Sequence, residues 1–129
     1  MTPRSEGQTA TIAIHHWVAG AATGDWSQLL SMLDEEVHFQ VPVEGFIGGR
    51  RGIAEATRFF NHLAEVLRAQ LRVTSTMQDG ARVAFEVAVR GVWVQRHFRQ
   101  ALCLVFVVGD GRVLAFHEYL AWPGGLDAD

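Results

Sequence analysis

Two adjacent side chains that can transfer protons, His117 and Glu118, lie in the apolar segment RVLAFHEYLAW, residues 112–122. A turn signal, Asp110-Gly111, precedes this segment, which is rich in β-forming residues and is therefore predicted to be a strand. Successive side chains of a strand point to opposite faces, so one of the two is expected to face the interior. A carboxyl group among apolar side chains loses hydration, which raises its pKa from about 4.3 towards neutrality and suits general acid–base catalysis.

The alternation alone does not decide which residue is functional, because both faces of the strand are apolar. Glu118 shares its face with Leu114, Phe116 and Leu120, and His117 shares the other with Val113, Ala115 and Tyr119. A structural role is also open for each residue. Glu118 could form a buried ion pair with Arg90 or Arg99, and His117 could be a packed or hydrogen-bonded residue at the outer side of the sheet.

Several chemistries are excluded by residue type. The chain contains no lysine, which excludes Schiff-base catalysis and a Walker phosphate-binding loop. It has neither a G-x-S-x-G elbow nor a G-x-G-x-x-G loop, and HEYLA has no second histidine to complete H-E-x-x-H. We therefore expect no metal and no cofactor.

The composition is that of a single globular domain. Apolar residues make up 49% of the 129 residues and charged residues 19%. A net charge of -3 argues against a nucleic-acid partner, and the longest apolar run, residues 101–108, is too short to span a membrane. The N-terminal residues contain no apolar signal core and Cys103 is the single cysteine, so a cytoplasmic protein is expected.

The order of predicted elements favours an α+β fold. Helices are predicted at about 9–23, from Asp25 over a short stretch, and at about 53–69, with a strand at 37–41 among them. An antiparallel meander follows, and residues 1–7 and 124–129 are expected to be loose. A strongly bent sheet could hold the three helices in its concave side, as a cone with a cavity. The strand at 101–108 reads as buried on both faces, which predicts a homodimer through the outer face.

Three stretches carry a resemblance to a known family. HHWVAGAATGDWSQLLSMLDEEVHFQVP resembles the opening of the nuclear-transport-factor-2-like superfamily, specifically its SnoaL-like polyketide cyclase branch. GGRRGIAEATRFF resembles the family's glycine-bearing start of the third helix, and FVVGDGRVLAFHEY its closing hairpin. The resemblance covers about residues 10–122 and implies the cone-shaped fold, although this fold hosts many unrelated activities.

The resemblance also selects among residues. The positions used by ketosteroid isomerases fall on Trp17, Val41 and Cys103, and the middle-strand positions of epoxide hydrolases on Val87 and Val89, so neither chemistry is expected. The last-strand acid of SnoaL-like cyclases falls on Glu118. The resemblance therefore implies that Glu118 faces the cavity as a general acid or base.

The expected ligand is a small hydrophobic or aromatic molecule, because apolar side chains dominate the candidate lining. Those residues could equally be plain core. They are Trp17, Phe39, Val41, Phe60, Phe85, Cys103 and Phe116. The leading hypothesis is a cofactor-independent cyclase, isomerase or hydratase. The alternatives are a non-catalytic binding or dimerisation module of the same fold, and a partner subunit like the small subunits of ring-hydroxylating dioxygenases.

Overall fold

The computed structural model describes residues 5–121, in which helices precede a long antiparallel meander. The elements in chain order are α1 (Glu6–Thr23), α2 (Ser27–Leu30), β1 (Leu33–Gln40), β2 (Arg50–Arg51), α3 (Ile53–Val66), β3 (Leu67–Asp79), β4 (Arg82–Trp93), β5 (Arg96–Gly109) and β6 (Arg112–Leu120). Within this range, no helix is long and apolar enough to cross a membrane.

Helix α1 begins earlier than its apolar periodicity predicts. Ser5 and Gln8 form a capping box. The backbone N–H of Gln8 donates to the Ser5 hydroxyl over 3.1 Å, and the backbone N–H of Ser5 donates to the side-chain Oε1 of Gln8 over 2.9 Å. The prediction of a loose arm over 1–7 is therefore wrong for residues 5–7. Residues 1–4 and 124–129, the rest of the predicted loose termini, lie outside the described residues. The helix ends at Gly24, as predicted, where a φ of 85° favours glycine.

The next two helices are shorter than the pattern indicates. The N-cap of α2 is Trp26, which has no side-chain cap, rather than the predicted Asp25. The Asp25 carboxylate accepts from the backbone N–H and the hydroxyl of Ser27 at 3.0 and 2.7 Å. The helix has one turn, and Leu33 lies in β1. Helix α3 ends at Val66 rather than near residue 69, because Leu67 is already extended and begins β3.

One mixed sheet of six strands has the order β2-β1-β6-β5-β4-β3. Only the β1–β6 pair is parallel, and the described sheet is open. Strands β3 and β4 stay paired through Gly91, where a Cβ atom would lie 2.3 Å from the carbonyl oxygen of Arg68. Glycine at this position thus permits the close approach, and Gly91 does not interrupt the strand. The predicted α+β fold, with helices against a bent and mostly antiparallel sheet, is confirmed.

A bulge in β6 decides which residues face inward. Val107 and Val108 of β5 pair with Ala115 and Val113, which leaves Leu114 as an extra residue. Val113 is therefore buried, whereas Leu114 is 37% exposed. The predicted grouping of Leu114 with Glu118 and of Val113 with His117 is wrong at the start of the strand, because strict alternation does not continue through a bulge.

The inner face of the sheet and the helices share one aromatic core. Trp17 of α1 lies edge-on to Phe60 at 5.3 Å and to Phe116 at 5.5 Å between ring centroids. Phe116 stacks on Phe39 of the parallel neighbour strand at 4.9 Å and 11°. This cluster fixes α1 and α3 against β1 and β6, and Trp17 also borders the cavity described next.

Candidate functional site

A cavity of about 400 Å³ lies between the helices and the inner face of the sheet. Helices α1 and α3 contribute Trp17 and Leu63, and the loop after β1 contributes Pro42, Val43 and Glu44. The strands supply the remaining wall, which is mostly apolar: Leu67, Leu71, Val89, Trp93, Phe98, Gln100, Leu102, Glu118 and Leu120. The polar side chains of this wall are two glutamates and one glutamine.

Glu118 reaches this cavity because of the register of β6. It pairs with the buried Leu104 of β5, and Phe116 pairs with the buried Phe106, so all four residues belong to the inner face. The Glu118 side chain is half-buried and borders the open space of the cavity. The prediction that the Phe116 and Glu118 face is directed to a cavity therefore agrees with the geometry.

The carboxyl group of Glu118 has an apolar surrounding and no partner among residues 5–121. The ion pairs found there are Arg50–Glu55, Arg51–Glu36 and Arg58–Glu55. The alternative of an ion pair with Arg90 or Arg99 is thus not seen. Burial raises the pKa of Glu118 from 4.5 to about 7. A carboxyl group with such a pKa is present in both protonation states near neutral pH, which a general acid or base requires.

His117 lies on the outer face of the sheet. It pairs with Val105, and its Nδ1 atom lies 3.3 Å from the hydroxyl oxygen of Tyr119. Burial and the charge of Arg82 lower its pKa, so the neutral imidazole is favoured. The structure thus agrees with the alternative in which His117 is a hydrogen-bonded residue at the outer side of the sheet. Of the two adjacent polar residues, only Glu118 borders the cavity.

Of the seven predicted ligand-binding residues, the structure places only Trp17 in the cavity wall. Five others are buried in the core behind or beside it: Phe39, Val41, Phe60, Phe85 and Phe116. Their predicted contact with a ligand would require the cavity to open further. The alternation of apolar side chains predicts which positions are buried. It does not predict at which end of the core a cavity remains, so core residues were predicted as cavity lining.

Cys103 differs from the other six, because it lies on the outer face. It is half-exposed, between the inward Leu102 and Leu104, and pairs with Glu86 and Tyr119. Burial and the charge of Glu86 raise its pKa, so the thiol stays protonated. The prediction that Cys103 lines the cavity is therefore wrong, because its side chain is directed to the opposite face of the sheet. The inward neighbours are both leucine, so neither supplies an acid.

Most residues of the cavity wall were not predicted from the sequence. Phe98, Gln100 and Leu102 line the cavity, and all are an even number of residues from the buried Leu104 of the same strand. Counting back along β5 in steps of two finds them only once the structure shows that Leu104 is buried. Val43 and Glu44 follow the strand-ending Pro42, and nothing in their types indicates that this loop folds against the core.

Other charged side chains lie away from the cavity. Glu86 and Arg90 are exposed on the outer face of the sheet. Arg50 donates to Glu55 over 2.9 Å, and Arg51 to Glu36 over 3.0 Å, so these two arginines of β2 serve ion pairs rather than a ligand. Among residues 5–121, no group of three His, Cys, Asp or Glu side chains could hold a metal ion.

Comparison with known proteins agrees with the geometry. The SnoaL-like domain family matches residues 14–116 of the chain. No curated protein matches the sequence at a significant level.

Solved structures share the whole fold. An NTF2-like protein from Anabaena variabilis has a TM-score of 0.88 and 25% identity, with 96% of each chain covered. A Xanthomonas campestris protein provisionally called a polyketide cyclase has a TM-score of 0.73 and 24% identity, over 89% of this chain and 92% of that one. An LEH-like epoxide hydrolase from M. tuberculosis has a TM-score of 0.70 and 19% identity, over 87% and 82% respectively.

Proposed function

Because the chain belongs to the SnoaL-like domain family, we propose that it binds a small hydrophobic molecule in the cavity and transfers a proton with Glu118. The observation that carries this proposal is the carboxyl group of Glu118, which has no partner among residues 5–121 and lies in a mostly apolar wall. Its reaction would be a cofactor-independent isomerisation, cyclisation or hydration. Glu118 would take a proton from one atom of the substrate, or from water in a hydration, and return it to another atom of the substrate. Names among the structural neighbours, an epoxide hydrolase and a polyketide cyclase, are compatible with such chemistry.

The environment of Glu118 supports this role in two ways. Ionised, the carboxylate is a stronger base than one in water, because burial destabilises its charge. Protonated, it can donate a hydrogen bond or a proton to an oxygen atom of the ligand. The rings of Trp17, Trp93 and Phe98 offer contact area to a flat apolar molecule beside it.

Proton transfer is testable without the natural substrate. The bicyclic ketone 2-tetralone has acidic α-protons, and their exchange in D₂O can be followed by NMR. We expect the wild-type protein to accelerate this exchange and Glu118→Gln to lower the protein-catalysed rate by about 100-fold or more. Glu65→Gln is the matched control, since Glu65 is exposed on α3 and outside the cavity wall.

Two results would change the proposal. Equal exchange in wild type and Glu118→Gln would refute the role of Glu118. Binding of 2-tetralone without acceleration would instead favour the non-catalytic binding module, which is the second candidate because valines occupy inward positions 41, 87 and 89. Val89→Phe should abolish binding in either case, because the larger ring would fill the cavity that Val89 lines.

We further propose that the protein forms a homodimer through the outer face of the sheet. The supporting observation is a strip of half-exposed apolar side chains across β4, β5 and β6. Its members are Ala88, Ala101, Cys103, Val105, Val107 and Ala115, with Tyr119 50% exposed at one end. Exposed apolar patches of this kind mark protein interfaces.

Light scattering after gel filtration tests this interface. We expect a dimer for the wild type and a monomer for Val105→Glu, because a carboxylate would be buried without a partner at the centre of the strip. Ile47→Glu is the control and should remain dimeric, since Ile47 is 67% exposed in the loop between β1 and β2. A monomeric wild type would exclude the proposed interface.

A further inference from the structure

The cavity wall has an uneven distribution of charge. Glu44 and Glu118 both line it, and no arginine or histidine does within the described residues. This absence is notable because the described residues include ten of the chain's eleven arginines, some of which are bonded elsewhere. Arg68, for example, donates to the carbonyl oxygens of Ala64 and Leu67 at the end of α3.

Walls of low polarity strengthen the effect of the half-buried Glu118, whereas Glu44 is exposed to solvent. The cavity is bounded mainly by apolar side chains, so the field of a carboxylate is screened less there than in open water. A ligand carboxylate or phosphate would meet like charge without any cation to stabilise it. An uncharged ligand would leave an ionised Glu118 unpaired, which is costly in an apolar surrounding.

A ligand cation would meet two favourable groups in the same cavity. It would compensate the carboxylate of Glu118, which has no partner of its own in residues 5–121. It would also be attracted by the aromatic faces of Trp17, Trp93 and Phe98, all in the wall. Aromatic rings combined with carboxylates are the groups by which proteins recognise ammonium ions.

From this wall we propose that the cavity selects its ligand by charge and that its ligand is a small apolar amine, bound as the ammonium ion. The inference rests on the proposed function, since it concerns the same cavity. It adds the class of ligand, which neither the family nor the structural neighbours provide.

A series with one bicyclic skeleton separates charge from shape. The three probes are 2-aminotetralin, 2-tetralol and tetralin-2-carboxylic acid, which present an ammonium, a hydroxyl and a carboxylate group. Binding is measured at about pH 8, where Glu118 is mainly ionised and the amine protonated, by calorimetry and by the fluorescence of Trp17 and Trp93. We expect the amine to bind about tenfold or more tightly than the alcohol, and the acid about tenfold or more weakly.

Variants assign the effect to Glu118. In Glu118→Gln the advantage of the amine over the alcohol should largely disappear, whereas Glu65→Gln should keep it. Equal affinity for amine and alcohol in the wild type would overturn the inference, as would an acid that binds as tightly as the alcohol.

The outcomes also separate this inference from the proposed function. Alcohol binding that Val89→Phe abolishes, without any preference for the amine, would leave the ligand-binding cavity intact and refute only charge selection. If none of the three probes binds, or if Val89→Phe has no effect on binding, the cavity is not the binding site and both proposals fail.

Discussion

Raising the pH from about 4 to about 8 is expected to destabilise the wild-type protein by about 2 to 3 kcal/mol relative to Glu118→Gln. The pKa of Glu118 is about 7 in the folded state, against 4.5 for a free side chain. The folded state therefore holds the proton more tightly than the unfolded state does. Each unit of difference in pKa corresponds to about 1.4 kcal/mol, and we reduce the total because the carboxyl group borders the open cavity.

The sign of this effect follows from which state binds the proton. Below pH 4.5 the group is protonated in both states, and its contribution to stability is fully present. Between 4.5 and 7 the unfolded state releases the proton while the folded state retains it, so stability falls, and above 7 it falls no further. Glutamine does not titrate, so the variant lacks this contribution.

Urea unfolding of both proteins across this pH range measures the effect, because groups common to both cancel in the difference. Glu65→Gln controls for the loss of one surface acid. A difference between wild type and Glu118→Gln that does not change with pH would show that Glu118 is solvated in the folded protein. It would also remove the physical basis for its catalytic role.

Phe116→Ala is expected to cost about 3 to 5 kcal/mol of folding free energy. Phe116 is fully buried, stacks on Phe39 at 4.9 Å and contacts Trp17 and Phe60, each at 5.5 Å. Removal of the ring leaves a void bordered by both long helices and by β1. The cost is a large part of the total for a domain of this size, which is about 5 to 15 kcal/mol.

The free energies of unfolding of Phe116→Ala and Leu114→Ala can be compared by denaturant unfolding. Leu114 lies two residues earlier on the same strand. Leu114 is 37% exposed, so its truncation should cost far less than that of Phe116. Similar losses for the two variants would mean that β6 does not pack as described, and that Glu118 does not face the cavity either.

Residue patterns predicted much of this arrangement, and the failures have identifiable physical causes. The order of helices and strands, the turn at Gly111 and the inward direction of Glu118 follow from periodicity, turn chemistry and family resemblance. The sequence did not predict that Cys103 faces outward, because a run of continuous apolar residues does not show which of its side chains face inward. The pairing of β5 with β4 and β6 in the folded sheet determines this.

The cavity was harder to predict than the core. Phe39 and Phe98 are both aromatic strand residues, yet the first is buried in the ring cluster and the second borders the cavity. The difference depends on where α1, α3 and the loop after β1 leave space, which is a property of three-dimensional packing. Local patterns identify which face of a strand is inward, but not how far along it the core extends.

The extra residue at Leu114 has a consequence for how this protein can evolve. The bulge adds one residue between the turn and the rest of β6. Inward and outward side chains therefore do not alternate continuously from one end of the strand to the other. Loss of a single residue at that point could be absorbed by straightening the strand, with Ala115 to Leu120 still paired as before. A one-residue deletion after the turn would then be tolerated without exchanging the acid in the cavity for the neighbouring imidazole.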